Sequence, residues 1–450
     1  MPMDRNQAMA VAAVFLAIAL VVLDAGITNI ALPTISASLD VPPGQVILVT
    51  SAYQLALLMG LLPAAHVAAR TGTRNLFVIG LCTFTFASVM AALAPAFPVL
   101  VAARFIQGLG GAAILALGMP LLRTLVGRDR FGSAIGWNAL NVALCAAAGP
   151  ALGALLIAAT GWPWLFLLNL PVGLAALAAS LALPAGGRRS AAAVDGWSIL
   201  LYAGSITLLF TALQNVIAAP VAAAFLAVAA AASFTFLFSR EFPKSAPLLP
   251  FDLMGDRAFR LAVGASMFCF VAQCAGQLAL PFYLLHNLGE DGLATGAVIS
   301  CWPIAVALAS RAAVQLAQRT SAAILCATGT LILSTGLAAI ALLQPSPVGL
   351  ALCTILCGIG FGLFQVPNNR NLFFTAPEHR SEAAGGMQGT ARLAGQTVGA
   401  VLVSLVFSWA PGIAAPQFAF AMAAAFAVGS AMLSLRQLKR ARQPAAPCAS

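Results

Sequence analysis

Apolar runs of about 20 residues, separated by short polar punctuation, recur along the whole of this chain. A helix of roughly 20 apolar residues spans the hydrocarbon core of a bilayer. The pattern predicts helices over 9–33, 45–66, 76–95, 98–122, 133–159, 164–183, 197–216, 221–239, 259–285, 294–313, 322–343, 348–373, 384–408 and 417–435, fourteen in all. A membrane β-barrel would instead show alternating segments of about ten residues. The fold class is therefore an all-α polytopic membrane protein.

Composition agrees with that pattern. The 450 residues are 61% hydrophobic and 8% charged, with mean hydropathy +0.98, against about 25% charged residues in soluble domains. A net charge of +10 would suggest nucleic acid in a soluble chain, but here its placement gives a better account. Alternate connections carry Arg70, Arg74, Arg128, Arg130, Arg188, Arg189, Arg240, Lys244, Arg257, Arg260, Arg319, Arg380 and the tail Arg436, Lys439, Arg440 and Arg442. The other side carries Asp40, His286, Glu290 and Asp291, without Lys or Arg. The positive-inside rule places the basic side and both termini in the cytoplasm. Residues 1–33 superficially resemble a signal peptide, but cleavage would leave an odd number of spans and move the basic tail outside.

Within the spans, polar groups are few and costly. Asp24 lies on the first helix, with Thr28 one turn later on the same face. Arg104 lies on the fourth, with Gln107 and Gly108 one turn on. Charged groups at membrane depth usually face a partner, a cavity or a pathway. A short basic turn, Arg123 to Arg130, is expected between the fourth and fifth spans. The fifth carries Asn138, Asn141 and the motif Gly149-Pro150 with Gly153, small residues that let two backbones approach closely. Tyr53 and Gln54 on the second span, Gln273 and Gln277 on the ninth, Asn368 on the twelfth and Arg392 on the thirteenth complete the candidate cavity wall. For Gln273 and Gln277, interhelical hydrogen bonding fits equally well. Tyr53, Phe268, Phe270, Phe282 and Tyr283 fit core or lipid packing better than a cavity lining.

Other chemistry finds no foothold. No GxxxxGK[ST] loop is present, so ATP is not expected to act directly on this chain. The nine cysteines are scattered, and Cys353-xxx-Cys357 has no His or acidic neighbour to complete a metal site. His66, His286 and His379 lie at helix ends or in loops on opposite sides, which argues against an enzyme. No cofactor and no metal are expected.

The chain also repeats itself. HVAARTGTRN at 66–75 has a relative in QLAQRTSAAI at 315–324, and Arg70 and Arg319 lie 249 residues apart, as do Gly80 and Gly329. Gly149 and Gly399 lie at almost the same offset. Such internal symmetry is common in secondary transporters. It predicts six-helix halves at 1–183 and 259–436, a connector with two further spans at 184–258, and a cytoplasmic tail at 437–450.

With these residues in view, the chain resembles a major facilitator superfamily transporter of the fourteen-helix drug:proton antiporter group. LDAGITNIALP at 23–33, RFIQGLGGA at 104–112, AGPALGA at 148–154 and WPWLFLLNLPVG at 162–173 carry the likeness. The resemblance implies two six-helix bundles plus two extra central helices, rocking about a midplane cavity. It implies export of lipophilic drugs or toxic cations from the cytoplasm, across a bacterial inner membrane, by a monomer that exchanges substrate for protons. Asp24 would carry the proton and Arg104 would tune or relay its charge. Gly149, Pro150 and Gly153 would form a close, bendable contact between bundles. An exporter of one endogenous metabolite or siderophore and a non-transporting sensor are the alternatives. The family's gate loop, G-x-L-A-D-R-x-G, matches at Arg70, Gly72 and, just beyond, Arg74. Ala69 stands where the family has its acid, as does Gln318 in the late repeat. The resemblance then implies a cytoplasmic gate held less tightly or by other contacts.

Overall fold

A computed structural model describes residues 4–184, 195–242, 253–289, 292–375, 381–410, 412 and 414–441. Arg188, Arg189, Lys244, Glu290, Asp291, His379, Arg380 and Arg442 lie outside these residues, as do parts of the expected connector and tail.

Among the described residues, fourteen helices are long and apolar enough to cross a membrane. They are α1 (Arg5–Ser38), α2 (Pro43–Ala68), α3 (Thr73–Ala92), α4 (Phe97–Gly127), α5 (Ser133–Thr160), α6 (Pro163–Ser180), α7 (Gly196–Gln214), α8 (Pro220–Glu241), α9 (Arg257–Leu285), α10 (Ala294–Leu316), α11 (Ala322–Leu343), α12 (Pro347–Leu372), α13 (Ala384–Trp409) and α14 (Ala414–Gln437). No strand occurs among the described residues. The architecture is that of a fourteen-helix membrane protein.

Two boundaries differ from the sequence reading. α1 does not stop at Pro33; it runs on to Ser38 with the proline inside it. A proline removes one backbone donor, and packed neighbours make that tolerable in a membrane helix. Asp24 therefore sits in mid-helix. Between α4 and α5, helical geometry breaks only at Gly127 (φ 73°, ψ 174°). The expected basic turn is a one-residue interruption, because glycine alone adopts that backbone without a Cβ penalty.

Prolines also shape the short α6. Pro171 has no N–H for the carbonyl of Leu167, and the helical hydrogen-bonding is interrupted at Leu168. Asn169 follows at once.

The helices form two compact units. Unit 1 comprises 1–248, 277–300 and 400–416, and unit 2 comprises 249–276, 301–399 and 417–450. Inside unit 1, small residues bring backbones together. A methyl on Gly80 would stand 2.6 Å from the Ala113 Cβ and 2.9 Å from the Gly110 carbonyl oxygen. A methyl on Gly108 would strike the Tyr53 carbonyl and stand 2.7 Å from the Ala56 Cβ. Inside unit 2, the same contacts recur 249 or 250 residues later: Gly329 on Gly360, and Gly358 on the Trp302 carbonyl and, at 2.7 Å, the Ala305 Cβ. The repeat seen in sequence is thus a repeat of packing. Close approach at small residues replaces the hydrophobic drive that lipid removes.

α7 and α8 pack mainly on each other. Only 22% and 17% of their apolar windows are buried, against 72% for α2 and 83% for α9. Their nearly uniform apolar surfaces suit lipid. Tyr202 Oη donates to the Leu58 carbonyl at 3.0 Å and ties α7 to α2.

Candidate functional site

The buried charges expected on α1 and α4 meet. Arg104 Nη1 lies 2.6 Å from Asp24 Oδ2, and both side chains are almost fully inaccessible. Taking two charges from water costs several kcal/mol each, so such a pair persists only when further hydrogen bonds satisfy what remains. Here they do. Gln107, one turn along α4, donates Nε2 to Asp24 Oδ1 at 2.9 Å. Asn169 of α6 donates Nδ2 to the same oxygen at 2.7 Å. Gln107 Oε1 in turn accepts from Arg104 Nη1 at 2.6 Å, while Arg104 Nε donates to the Val49 carbonyl at 3.2 Å. The guanidinium lies 4.2 Å over the Tyr53 ring and 5.6 Å from the Phe166 ring. A desolvated cation over an aromatic face gains roughly 2 kcal/mol.

Ser88 of α3 closes the cluster. Its hydroxyl accepts from Gln107 Nε2 at 2.8 Å and from Asn169 Nδ2 at 3.3 Å, and it donates to the Phe84 carbonyl at 2.8 Å. Five helices thus contribute: α1, α2, α3, α4 and α6. Arg104 and Gln107 share one α4 face because residues three apart are neighbours on a helix. Asn169 Oδ1 and Arg104 Nη2 are buried with no hydrogen-bond partner among the described residues.

The remaining predicted residues divide. Thr28 is fully buried, but its hydroxyl donates to the Asp24 main-chain carbonyl at 2.7 Å and not to the carboxylate. Tyr53 and Gln107 join the Asp24 cluster; Gln54 lies half-buried one residue beyond Tyr53. Asn141 donates to the Phe15 carbonyl at 2.9 Å and so binds α5 to α1, with Asn138 half-buried one turn before. In unit 2, Gln273 and Asn368 are buried, and Arg392 is half-buried; Gln277, in unit 1, is also half-buried. Arg70 is exposed, and Gly72 takes φ 94° at the α2–α3 turn beside Arg74.

The two glycines of the α5 motif pack on α1. A methyl on Gly149 would stand 3.3 Å from the Gly26 Cα, and one on Gly153 2.8 Å from Ile30 Cγ2, so both glycines press on α1. The adjoining face meets the later half: a methyl on Gly296 would stand 2.5 Å from the Ala154 Cβ and 3.1 Å from the Pro150 carbonyl oxygen. Helical periodicity explains the division, since 149 and 153 share a face that 150 and 154 do not fully share.

Sequence reasoning missed Ser88 and Asn169. Asn169 lay inside the motif at 162–173, and a lone amide in an apolar span was its signal. At the repeat offset, Asp24 corresponds to Gln273, Arg104 to Thr354 and Tyr53 to Trp302. The later copy keeps polar and aromatic groups and drops these two charges.

Comparison with known proteins agrees with this architecture. The family model for the Major Facilitator Superfamily matches residues 14–400. The chain is 37% identical over 406 residues to the uncharacterized transporter YebQ of Escherichia coli K12, covering 89% of each. It is 30% identical to the multidrug resistance protein Stp of Mycobacterium tuberculosis H37Rv, over 90% of this chain and 77% of that one. It is 25% identical to the riboflavin transporter RibZ of Clostridioides difficile 630, over 86% and 85%. In fold, it is similar to a crystal structure of a POT family transporter in complex with 5-aminolevulinic acid, with TM-score 0.73, 15% identity and 96% of each chain covered. Fourteen apolar helices, a repeated packing plan and a buried ion pair therefore belong to a multi-pass membrane transporter of the major facilitator superfamily.

Proposed function

We propose that this protein is a proton-coupled exporter of lipophilic small molecules, acting in a bacterial inner membrane with both termini in the cytoplasm. The observation that carries this reading is the sealed Asp24–Arg104 pair, a carboxylate with three side-chain donors and no access to water. A carboxylate held this way gains a proton only when the helices around it part. Proton uptake is then tied to conformation, which is the requirement for coupling. Asp24 takes the proton from the outside and releases it inward, and Arg104 holds the ionised form between turnovers. One proton moved through 100 mV releases about 2.3 kcal/mol. The working unit is a monomer, and Gln54 and Asn138 of unit 1 and Gln273, Asn368 and Arg392 of unit 2 are candidate substrate contacts, each within its own unit. Gly149 and Gly153 let α5 slide on α1. Arg70, Gly72 and Arg74 belong to the cytoplasmic gate, which Ala69 and Gln318 leave without its usual acids.

The pair is electrically neutral, so the interior does not favour multiply charged cargo. Lipophilic monocations and neutral amphiphiles fit it best. The relatives that are multidrug resistance proteins support this class. A second reading keeps the mechanism and narrows the cargo to one planar metabolite. The RibZ relationship and the uncharged polar side chains of the later half favour it.

Inverted membrane vesicles decide between them. With a proton gradient imposed, uptake of monocationic and neutral dyes, abolished by a protonophore and by Asp24→Asn, supports the drug-export reading. Uptake confined to riboflavin supports the second. Uptake that a protonophore leaves unchanged contradicts proton coupling.

A further inference from the structure

We infer that Asn169 is the acceptor for the transported proton's hydrogen bond: its side-chain amide turns over when Asp24 is protonated, so that α6 reads the charge state of α1. The inference rests on the reading of Asp24 as the proton site and goes beyond it to a residue on a different helix.

The argument is a count of donors and acceptors. Asp24 Oδ2 faces Arg104 Nη1 at 2.6 Å, and a guanidinium has donors only and stays charged. A proton entering from the outer solvent therefore settles on Oδ1. That oxygen now accepts from two amides, Gln107 Nε2 and Asn169 Nδ2. Once it carries an O–H, it needs an acceptor where it had a donor. Gln107 cannot supply one, because its Oε1 already accepts from Arg104 Nη1 at 2.6 Å and its Nε2 also serves Ser88 Oγ. Asn169 can. Its Oδ1 is buried and has no partner among the described residues, which is rare for a buried polar atom. A half-turn of the amide brings that oxygen to Asp24, gives up the 2.7 Å bond from Nδ2 and the 3.3 Å contact to Ser88, and moves the N–H donors to the place Oδ1 held. One amide then serves both states, donating to the carboxylate and accepting from the acid. The carboxylate goes from −1 to neutral, and Arg104 keeps its charge.

The environment leaves few competitors. Arg104 from α4 and Tyr53 from α2 stand against this cluster, and Tyr53 meets the guanidinium through its ring. α3 contributes a serine, and α6 an asparagine and a phenylalanine.

Infrared difference spectra of the purified protein, acid minus neutral pH, test this. Wild type is expected to show a carboxylic-acid carbonyl band that Asp24→Asn removes. In Asn169→Leu, which keeps size and loses the acceptor, that band is expected to persist at higher frequency, as for an acid without a hydrogen-bond acceptor. Asn169→Gln is expected to return it toward the wild-type position. A band unmoved in Asn169→Leu overturns the inference and leaves Asp24 as the proton site. Absence of any Asp24-dependent band in wild type overturns both. Should Asn169→Leu fail to fold, wild-type protein with 15N-labelled asparagine side chains gives the answer. A label-sensitive amide band is expected in the difference spectrum and is expected to vanish in Asp24→Asn; no such band in wild type overturns the inference.

Discussion

Asp24 and Arg104 lie 80 residues apart in the chain and 2.6 Å apart in the fold. The pair joins α1 to α4 at a depth where neither charge meets water. Each residue is tolerable there only because of the other, and that gives the first prediction.

Arg104→Ala leaves Asp24 as a buried uncompensated charge, and breaking such a pair costs roughly 3–5 kcal/mol. Arg104→Lys keeps the charge but loses the planar stacking on Tyr53 and the Nε bond to Val49, so a smaller loss is expected. The double variant Asp24→Asn/Arg104→Gln removes both charges and is expected to recover most of the lost stability. Thermal unfolding in detergent, followed by circular dichroism, checks the order: Arg104→Ala below Arg104→Lys, with the double variant above Arg104→Ala.

The repeated glycines give the second prediction. Gly108→Val and Gly358→Val each push a side chain into a backbone carbonyl, of Tyr53 or of Trp302. Overpacking of this kind costs about 1–3 kcal/mol, and the two variants are expected to behave alike because they break the same contact in the two repeats. Gly204 on α7 has nothing among the described residues within 4 Å of a new methyl. Gly204→Ala is therefore expected to be neutral or to stabilise by up to about 1 kcal/mol. The same unfolding assay reads all three.

The third concerns the hairpin of α7 and α8. Tyr202→Phe removes the hydroxyl that bonds the Leu58 carbonyl, worth about 1 kcal/mol. Both helices bury little else against the rest of the chain. Hydrogen exchange in α7 is expected to accelerate, while exchange in α4 is unchanged.

Much of this was legible in the sequence, for reasons the residues make plain. The fourteen spans were readable because bilayer thickness sets a length that composition must match. Asp24 and Arg104 were readable because a charge in a span is expensive enough to stand out. That they touch was not readable, since no local pattern links residues 80 apart. Asn169 and Ser88 were not readable, because an amide or hydroxyl in a membrane helix is cheap and common; only the geometry gives them a carboxylate to hold. The end of α1 was not readable, because Pro33 looks like a terminus and lies inside the helix, which runs on to Ser38. The motif at Gly149 and Gly153 was readable as a close contact, but not which helix it would touch.

Proton release from purified protein in weak buffer, on addition of a binding amphiphile, tests the central claim most directly. Wild type is expected to release protons when a monocationic or neutral substrate binds, and Asp24→Asn is expected to bind the same substrate without release. Binding by wild type with no proton released, or equal release from Asp24→Asn, would contradict the account.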